Sequence, residues 1–245
     1  MKSSEKIKFI SNWIKTYVDQ MPSKAQSLVI GISGGIDSSV SSTLSAMTGI
    51  KTIVLTMPIR QNDDQHNLSL KHQEWLKKKF KNVEAHTINL DKLFDSFSSS
   101  LKGFDNEHGF ANSRARLRMT TLYQVAAANK GIVVGTGNKV EDFGVGFYTK
   151  YGDGGVDISP IADCNKTDVW ELGKELGILK EIIDAPPTDG LWDDGRTDEG
   201  QLGFKYEDLE DAMKNPNSPH RQEYEKIRKE NLHKMEPIPV CKIPS

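Results

Sequence analysis

Apolar positions recur along the chain in two alternating rhythms. Ile7, Ile10, Ile14, Tyr17 and Val18 fall mostly three or four residues apart, which predicts an amphipathic helix over residues 4–19, stopped by Met21-Pro22-Ser23. Leu28-Val29-Ile30-Gly31-Ile32 is short, continuous and β-branched, with polar residues before it and glycines behind, and predicts a buried strand. A helix over 38–47, closed by Gly49, comes next. The pattern then repeats: 52–57 predicts a strand stopped at Pro58, 67–80 a helix, and 83–90 a third strand. Asp91 opens another helix, 113–129 reads as a long helical segment, and Ile132-Val133-Val134-Gly135 predicts the fourth strand. Strands alternating with helices at this spacing predict an α/β fold: one doubly wound, mainly parallel sheet with helices on both faces, in a single domain over 1–245.

Beyond the fourth strand the rhythm weakens. Residues 136–155 are glycine-rich and charged, which suits a functional loop at a strand's carboxyl end. Residues 165–177 read as a capped helix, because Asn165 precedes Asp168 by three and Gly177 sits at the end. The stretch 184–203 is rich in Pro, Asp and Gly and predicts a mobile surface loop, while 206–214 and 218–234 predict closing helices.

Composition narrows the class of partner. With 32 basic against 34 acidic residues the formal net charge is −2, which gives no general attraction to a phosphate backbone, so no nucleic-acid partner is expected. No apolar run approaches the roughly 18 residues a membrane span needs, and the charged N-terminus is not a signal-peptide core. Two cysteines, Cys164 and Cys241, form neither a disulfide framework nor a CxxC pair, which suits a reducing, cytoplasmic compartment.

The most specific chemistry lies in Gly31-Ile32-Ser33-Gly34-Gly35-Ile36-Asp37-Ser38, directly after a strand and opening a helix. Glycines let the backbone turn tightly and approach a ligand, and amides at a helix start favour an anion. Asp37 would repel a bare polyphosphate, so its place makes sense if it holds a cation such as Mg²⁺ against the phosphates. The turn has no lysine, so it is not a GxxxxGK[ST] loop, and there is no GxGxxG. A plain strand-to-helix turn with capping Asp and Ser is the competing interpretation. Serine, aspartate, paired glycines and strand–turn–helix context together outweigh it. SGGxDS after a strand resembles the pyrophosphate loop of the N-type ATP pyrophosphatases, which cleave ATP between the α- and β-phosphates and leave AMP on an acceptor.

Three downstream segments bear on the acceptor. Ala115-Arg116-Leu117-Arg118-Met119 carries two arginines on different helix faces, so only one is expected to meet a given anion. Val134 to Asp142 ends a strand, where Thr136 can donate to a ligand and Glu141 can supply a second metal carboxylate. Gly146 to Pro160 holds aromatics, Lys150, Asp153 and Asp157 among glycines: poor core material, but able to stack on a ring, meet an anion and bind a ribose hydroxyl.

In this order after SGGxDS, these segments resemble the ammonia-dependent NAD synthetase family over nearly the whole chain, through TKYGDGGVD, APPTDGLW, TDEGQLG and the C-terminal His233-Lys234. The resemblance implies a homodimer that converts deamido-NAD, ATP and ammonia to NAD, AMP and pyrophosphate. It implies that Gly31, Ile32, Ser33, Gly34, Gly35, Ile36, Asp37 and Ser38 bind ATP phosphates, with Thr136, Lys166 and Thr188 also on the nucleotide. Asp37 and Glu141 are implied as Mg²⁺ ligands, and Arg116, Lys150, Asp157, His233 and Lys234 as deamido-NAD contacts. The family pattern places the acidic ligand eight residues before the lysine of TK[YF]GDGG. Here Glu141 lies nine before Lys150 and Asp142 eight, so Asp142 competes with Glu141, which the count from Thr136 favours; Arg118 likewise stands second to Arg116. Lys166 is expected to act where charge grows on the phosphates, and Asp153 is the candidate to attract ammonium and take its proton. Residues 188–203 read equally as a lid or a plain surface loop. The rivals are another pyrophosphatase-loop amidating enzyme, such as the GMP synthetase type, and a regulatory nucleotide-binding module without chemistry.

Overall fold

The computed structural model describes residues 1–61, 63–188, 190–192 and 197–244. Strands β1 (Ser27–Gly31), β2 (Lys51–Thr56), β3 (Val83–Thr87) and β4 (Gly131–Val133) form one sheet in the order β3-β2-β1-β4, with every pairing parallel. In register, Val29 pairs with Ile53 on one side and Val133 on the other, and Val134 extends β4 by a bridge to Ile158. The chain lays down β1, β2 and β3 in one direction, then returns to place β4 on the opposite flank of β1. That reversal opens a crevice outside the carboxyl ends of β1 and β4, where ligands of open α/β sheets bind.

Helices α1 (Ser3–Gln20), α2 (Ile36–Met47), α3 (Asp63–Lys79), α4 (Asp91–Ser100) and α5 (Glu107–Ala128) surround this sheet. The second half adds α6 (Lys166–Leu176), α7 (Lys180–Ile183), α8 (Asp198–Leu202), α9 (Tyr206–Lys214) and α10 (Arg221–Met235). Because side chains alternate along a strand, β1 feeds two cores. Leu28 and Ile30 pack with Ile14 and Val18 of α1, Val40 and Leu44 of α2, and Val169 and Leu172 of α6. Val29 faces the other way, into Ile53, Leu55, Phe94 of α4 and Ala126 of α5. A third cluster joins Val140 and Val145 to Tyr206, Leu209 and Tyr224, fixing α9 and α10 beside the crevice. No helix among the described residues is long and apolar enough to cross a membrane.

The expected α6 is present: Asp168 accepts from the Asn165 amide at 3.1 Å, and Gly177 ends the helix at φ +71°. Three features depart from expectation. Helix α5 begins at Glu107 rather than 113, because Asn106 accepts from the Gly109 amide at 2.7 Å and caps an earlier turn. Glu141–Val145, read as part of a loop, is a π-helical turn. Helix α8 interrupts the stretch read as a loop, capped by the Thr197 hydroxyl on the Gly200 amide and ended by Gly203 at φ +76°. Of the expected lid or loop over 188–203, Asp189 and residues 193–196 lie outside the described residues.

Between α2 and α3, His72 is fully buried, 3.0 Å from the Ser42 hydroxyl and stacked on Trp75. Desolvation holds its imidazole down at about 4 against an ordinary 6.5. A base held down in the fold contributes stability that is present above its ordinary value and lost as pH falls through the folded one. Denaturant unfolding is therefore expected to show about 3 kcal/mol lost between pH 6.5 and 4 through this group. His72→Gln should lack that component.

Candidate active site

The turn after β1 is shaped by hydroxyls and by glycine's freedom. Gly34 has φ +93°, and a Cβ there would lie 2.5 Å from the Gln65 carbonyl oxygen, so only glycine fits. The Ser33 side chain accepts from the Gly35 amide at 3.1 Å, and Ser38 accepts from the Ser33 amide at 3.2 Å while donating to the Gly35 carbonyl at 3.0 Å. Gly35 is the N-cap of α2, so the positive end of the helix opens into the crevice. A cavity of about 230 Å³ occupies the crevice. Gly31, Ile32, Ser33, Gly35, Ile36, Asp37 and Ser38 line it, whereas Gly34 packs against α3. Thr136, Glu141, Asp153, Lys166 and Thr188 reach the same cavity, as do Asp142 and Arg118.

At its base three charges meet. The Lys166 ammonium donates to Asp37 Oδ2 at 2.6 Å and to Glu141 Oε1 at 2.8 Å, and its side chain is only 2% exposed. Asn138 braces both carboxylates: its amide donates to Asp37 Oδ1 at 3.0 Å, and its carbonyl accepts from the Val140 and Glu141 amides. Tyr206 adds a hydroxyl bond to Glu141. Desolvation opposes the lysine's charge, but Asp37 and Glu141 outweigh it and hold the ammonium above its usual range. Desolvation pushes the Asp37 carboxyl up, against the pull of Lys166 and with Glu141 adding to the rise. At Glu141 desolvation is outweighed by Lys166 and Tyr206, and the carboxyl is held down.

Asp142 makes no hydrogen bond or ion pair through its side chain among the described residues. Desolvation, then Asp153, Glu141 and Asp37, raise its carboxyl well above the usual range. It fits only because residue 137 has no side chain, since a Cβ on Gly137 would sit 1.9 Å from Asp142 Oδ2. Gly137→Ala is therefore expected to turn the Asp142 carboxylate out of its place and to lower turnover by about tenfold, with the sheet intact. Far-UV circular dichroism beside a turnover assay checks it. Asp153 also accepts from the Thr149 amide at 3.0 Å, which fixes it at the head of its glycine loop.

Of the expected dinucleotide contacts, Arg116, Lys150, Asp157, His233 and Lys234 do not line this cavity. Arg118 is on the cavity wall, donating to the Met57 carbonyl at 3.0 Å and to Gln61, while exposed Arg116 donates to the Lys150 carbonyl at 3.2 Å. Asp157 accepts from the Val133 amide at 2.7 Å and from the Tyr123 hydroxyl at 3.1 Å, tying its loop to β4. Lys234 donates to the Tyr148 carbonyl at 2.8 Å and receives the Tyr148 hydroxyl on its own carbonyl at 2.6 Å, while neighbouring His233 is exposed. Burial holds the Lys234 ammonium below its usual range, opposed by Asp153 and Asp142. Thr188 accepts from the Gln65 amide at 2.8 Å. Asn138 and Tyr206 escaped the sequence reading; the Gly137-Asn138 turn at a strand end was the only available signal for the first.

Among the described residues no three His, Cys, Asp or Glu side chains are grouped to hold a metal unaided. Asp37 and Glu141 converge as two hard carboxylates, which suits magnesium, an ion that takes its remaining ligands from substrate phosphates and water.

Parallel sheet, lysine-free glycine turn at the switch point and a carboxylate–lysine cluster beside it define an α/β protein with an anion-receptive crevice at its topological switch point. Comparison narrows that class. The family model for NAD synthase matches residues 6–243. The NH(3)-dependent NAD(+) synthetase of Carboxydothermus hydrogenoformans is 37% identical over 84% of this chain and 83% of its own. That of Alkaliphilus metalliredigens is 35% identical over 98% and 99%. Among solved structures, NMN synthetase from Francisella tularensis is 32% identical, covers 99% of this chain and 100% of its own, and superposes with a TM-score of 0.91. NH3-dependent NAD synthetase from Campylobacter jejuni, at 23% identity and a TM-score of 0.79, shares the fold. The chain belongs to the NAD synthase family, and is an enzyme of the carbon–nitrogen ligase class.

Proposed function

We propose that this chain amidates the nicotinate carboxylate of deamido-NAD, using ATP and free ammonia and releasing AMP and pyrophosphate. The observation that carries this reading is the buried Lys166 shared by Asp37 and Glu141 at the foot of the glycine turn. The carboxylate is a poor electrophile because oxide would have to leave. Attack on the α-phosphorus of ATP makes that oxygen part of an AMP leaving group and expels pyrophosphate. Negative charge grows on the phosphate oxygens, where Lys166 and the amides of the turn can meet it. Asp37 and Glu141 would hold magnesium, which when bound supplies positive charge against the polyphosphate. Ammonia is mostly NH₄⁺ near neutral pH; Asp153 on the cavity wall attracts the cation and takes its proton before attack on the acyl adenylate.

Arg116, Lys150, Asp157, His233 and Lys234 are proposed to meet the dinucleotide in a cytoplasmic homodimer, whose mass light scattering would report. The test of the reaction is pyrophosphate release from MgATP and ammonium, with and without deamido-NAD. Release that does not depend on an added nicotinate nucleotide would refute it. Ammonium is expected to support turnover and glutamine is not; comparable initial rates with glutamine would remove the free-ammonia step.

A second reading differs in the acceptor alone: nicotinate mononucleotide in place of the dinucleotide. It rests on the full-length superposition, TM-score 0.91, with a protein described as NMN synthetase. Running both acceptors side by side and comparing kcat/KM decides between them.

A further inference from the structure

We propose that Tyr206 is a positioning residue that holds the Glu141 carboxylate on Lys166 and sets the direction in which the pair faces the crevice. The inference concerns the same site and rests on the ligase reading for its kinetic consequence. Tyr206 is the first residue of α9, and its side chain turns inward to become 1% exposed, one of the largest fully buried side chains described. A phenol hydroxyl in such a place is costly unless bonded. This one donates to Glu141 Oε1, and Asp198 Oδ2 stands 3.3 Å from the Tyr206 hydroxyl oxygen.

The ring does a second job. Its centre lies 4.9 Å from the Lys166 ammonium, so the negative face of the ring borders the one buried cation of the cluster. Trp170 meets the ring edge-on at 5.8 Å. The main chain is held too: the Tyr206 amide donates to Glu199 Oε1 at 3.1 Å, on the same short helix that carries Asp198. One residue thus touches both halves of the Glu141–Lys166 pair, and is itself bound by backbone and hydroxyl to α8. Glu141 sits in a π-helical turn, and two donors from outside that turn, the Lys166 ammonium and the Tyr206 hydroxyl, meet on its Oε1.

The test keeps the ring and removes the oxygen. In Tyr206→Phe, kcat for pyrophosphate release is expected to fall about ten- to thirtyfold, the effect of losing a buried bond to a charged acceptor. KM for ATP should stay within about twofold, because the turn that holds the phosphates is untouched. Trp170→Phe is the control for packing alone: it should lower the thermal midpoint while keeping kcat within about twofold. Wild-type kcat in Tyr206→Phe, or an equal loss in Trp170→Phe, overturns the inference. A crystal structure of Tyr206→Phe gives a readout that needs no turnover. Glu141 is expected to turn away from Lys166, and an unchanged Glu141–Lys166 contact overturns the positioning role whatever reaction the wild-type enzyme performs.

Discussion

Lys166→Met is expected to give a chain that unfolds more easily and whose pyrophosphate release falls by at least about 10²- to 10³-fold. Both effects have one origin. The ammonium is the cation that Asp37 and Glu141 share in a nearly solvent-free pocket, and methionine leaves two carboxylates facing each other without it. Breaking a buried ion pair from one side costs about 3–5 kcal/mol, because the surviving charge stays desolvated. Urea unfolding at neutral pH reads this loss directly. Its pH dependence follows from the shifts. Lys166 is raised above 10.5, so its contribution is present below that pH and is lost as alkali carries the solution through the higher folded value. Glu141 is lowered from 4.5, so its contribution is present above that pH and fades as acid approaches the folded value. The variant should lack the alkaline loss from this lysine. Turnover within threefold of wild type would remove Lys166 from the chemistry.

Asp37→Asn should separate activity from stability. The amide keeps the side chain's shape, and Lys166 keeps Glu141 as a partner. Burial holds the Asp37 carboxyl above its usual range, against the pull of Lys166. One carboxylate still faces the ammonium, so the variant is expected to unfold nearer the wild-type urea concentration than Lys166→Met does. Its pyrophosphate release should nonetheless drop about 10³-fold, since the charge that would bind magnesium against the phosphates is gone. Active sites carry this kind of strain in exchange for function. Substantial pyrophosphate release by a folded Asp37→Asn chain would contradict the role given to the turn.

The contrast between what the sequence disclosed and what it concealed is physical. Strands β1 and β2 were legible because parallel strands covered on both faces must be continuous apolar runs, as Leu28 to Ile30 and Ile53 to Leu55 are, whereas edge strand β3 alternates half-buried and exposed residues. Helix α6 was legible because its cap is local, Asp168 reaching back to the Asn165 amide. The π-helical turn was not, since its sequence, Glu-Asp-Phe-Gly-Val, has no helical periodicity. Its geometry depends on distant support: Arg228 of α10 donates to the Phe143 and Gly144 carbonyls at 2.5 and 2.6 Å. The turn opens on Glu141, whose side chain meets Lys166, and its second residue is Asp142. Tyr206 was invisible for a related reason. As the first residue of an amphipathic helix it looks like packing, and only the fold brings its hydroxyl to a carboxylate 65 residues earlier. Arg116 and Arg118 were correctly read as facing apart, but sequence spacing carries no sign to say which one points inward.

The placement of β4 beside β1 has a consequence for how the enzyme comes into being. Asp37 meets Asn138 across 101 residues and Lys166 across 129, so no early fragment of the chain contains the charge cluster. During synthesis the β1–β2–β3 half can pair while its β4 flank is still an open edge, exposed to other nascent chains. Closure of that edge awaits β4, and assembly of the cluster awaits α6 after it. Folding is therefore expected to finish with a slow, long-range docking event, and conditions that stall elongation before β4 should yield aggregates rather than a partly active enzyme.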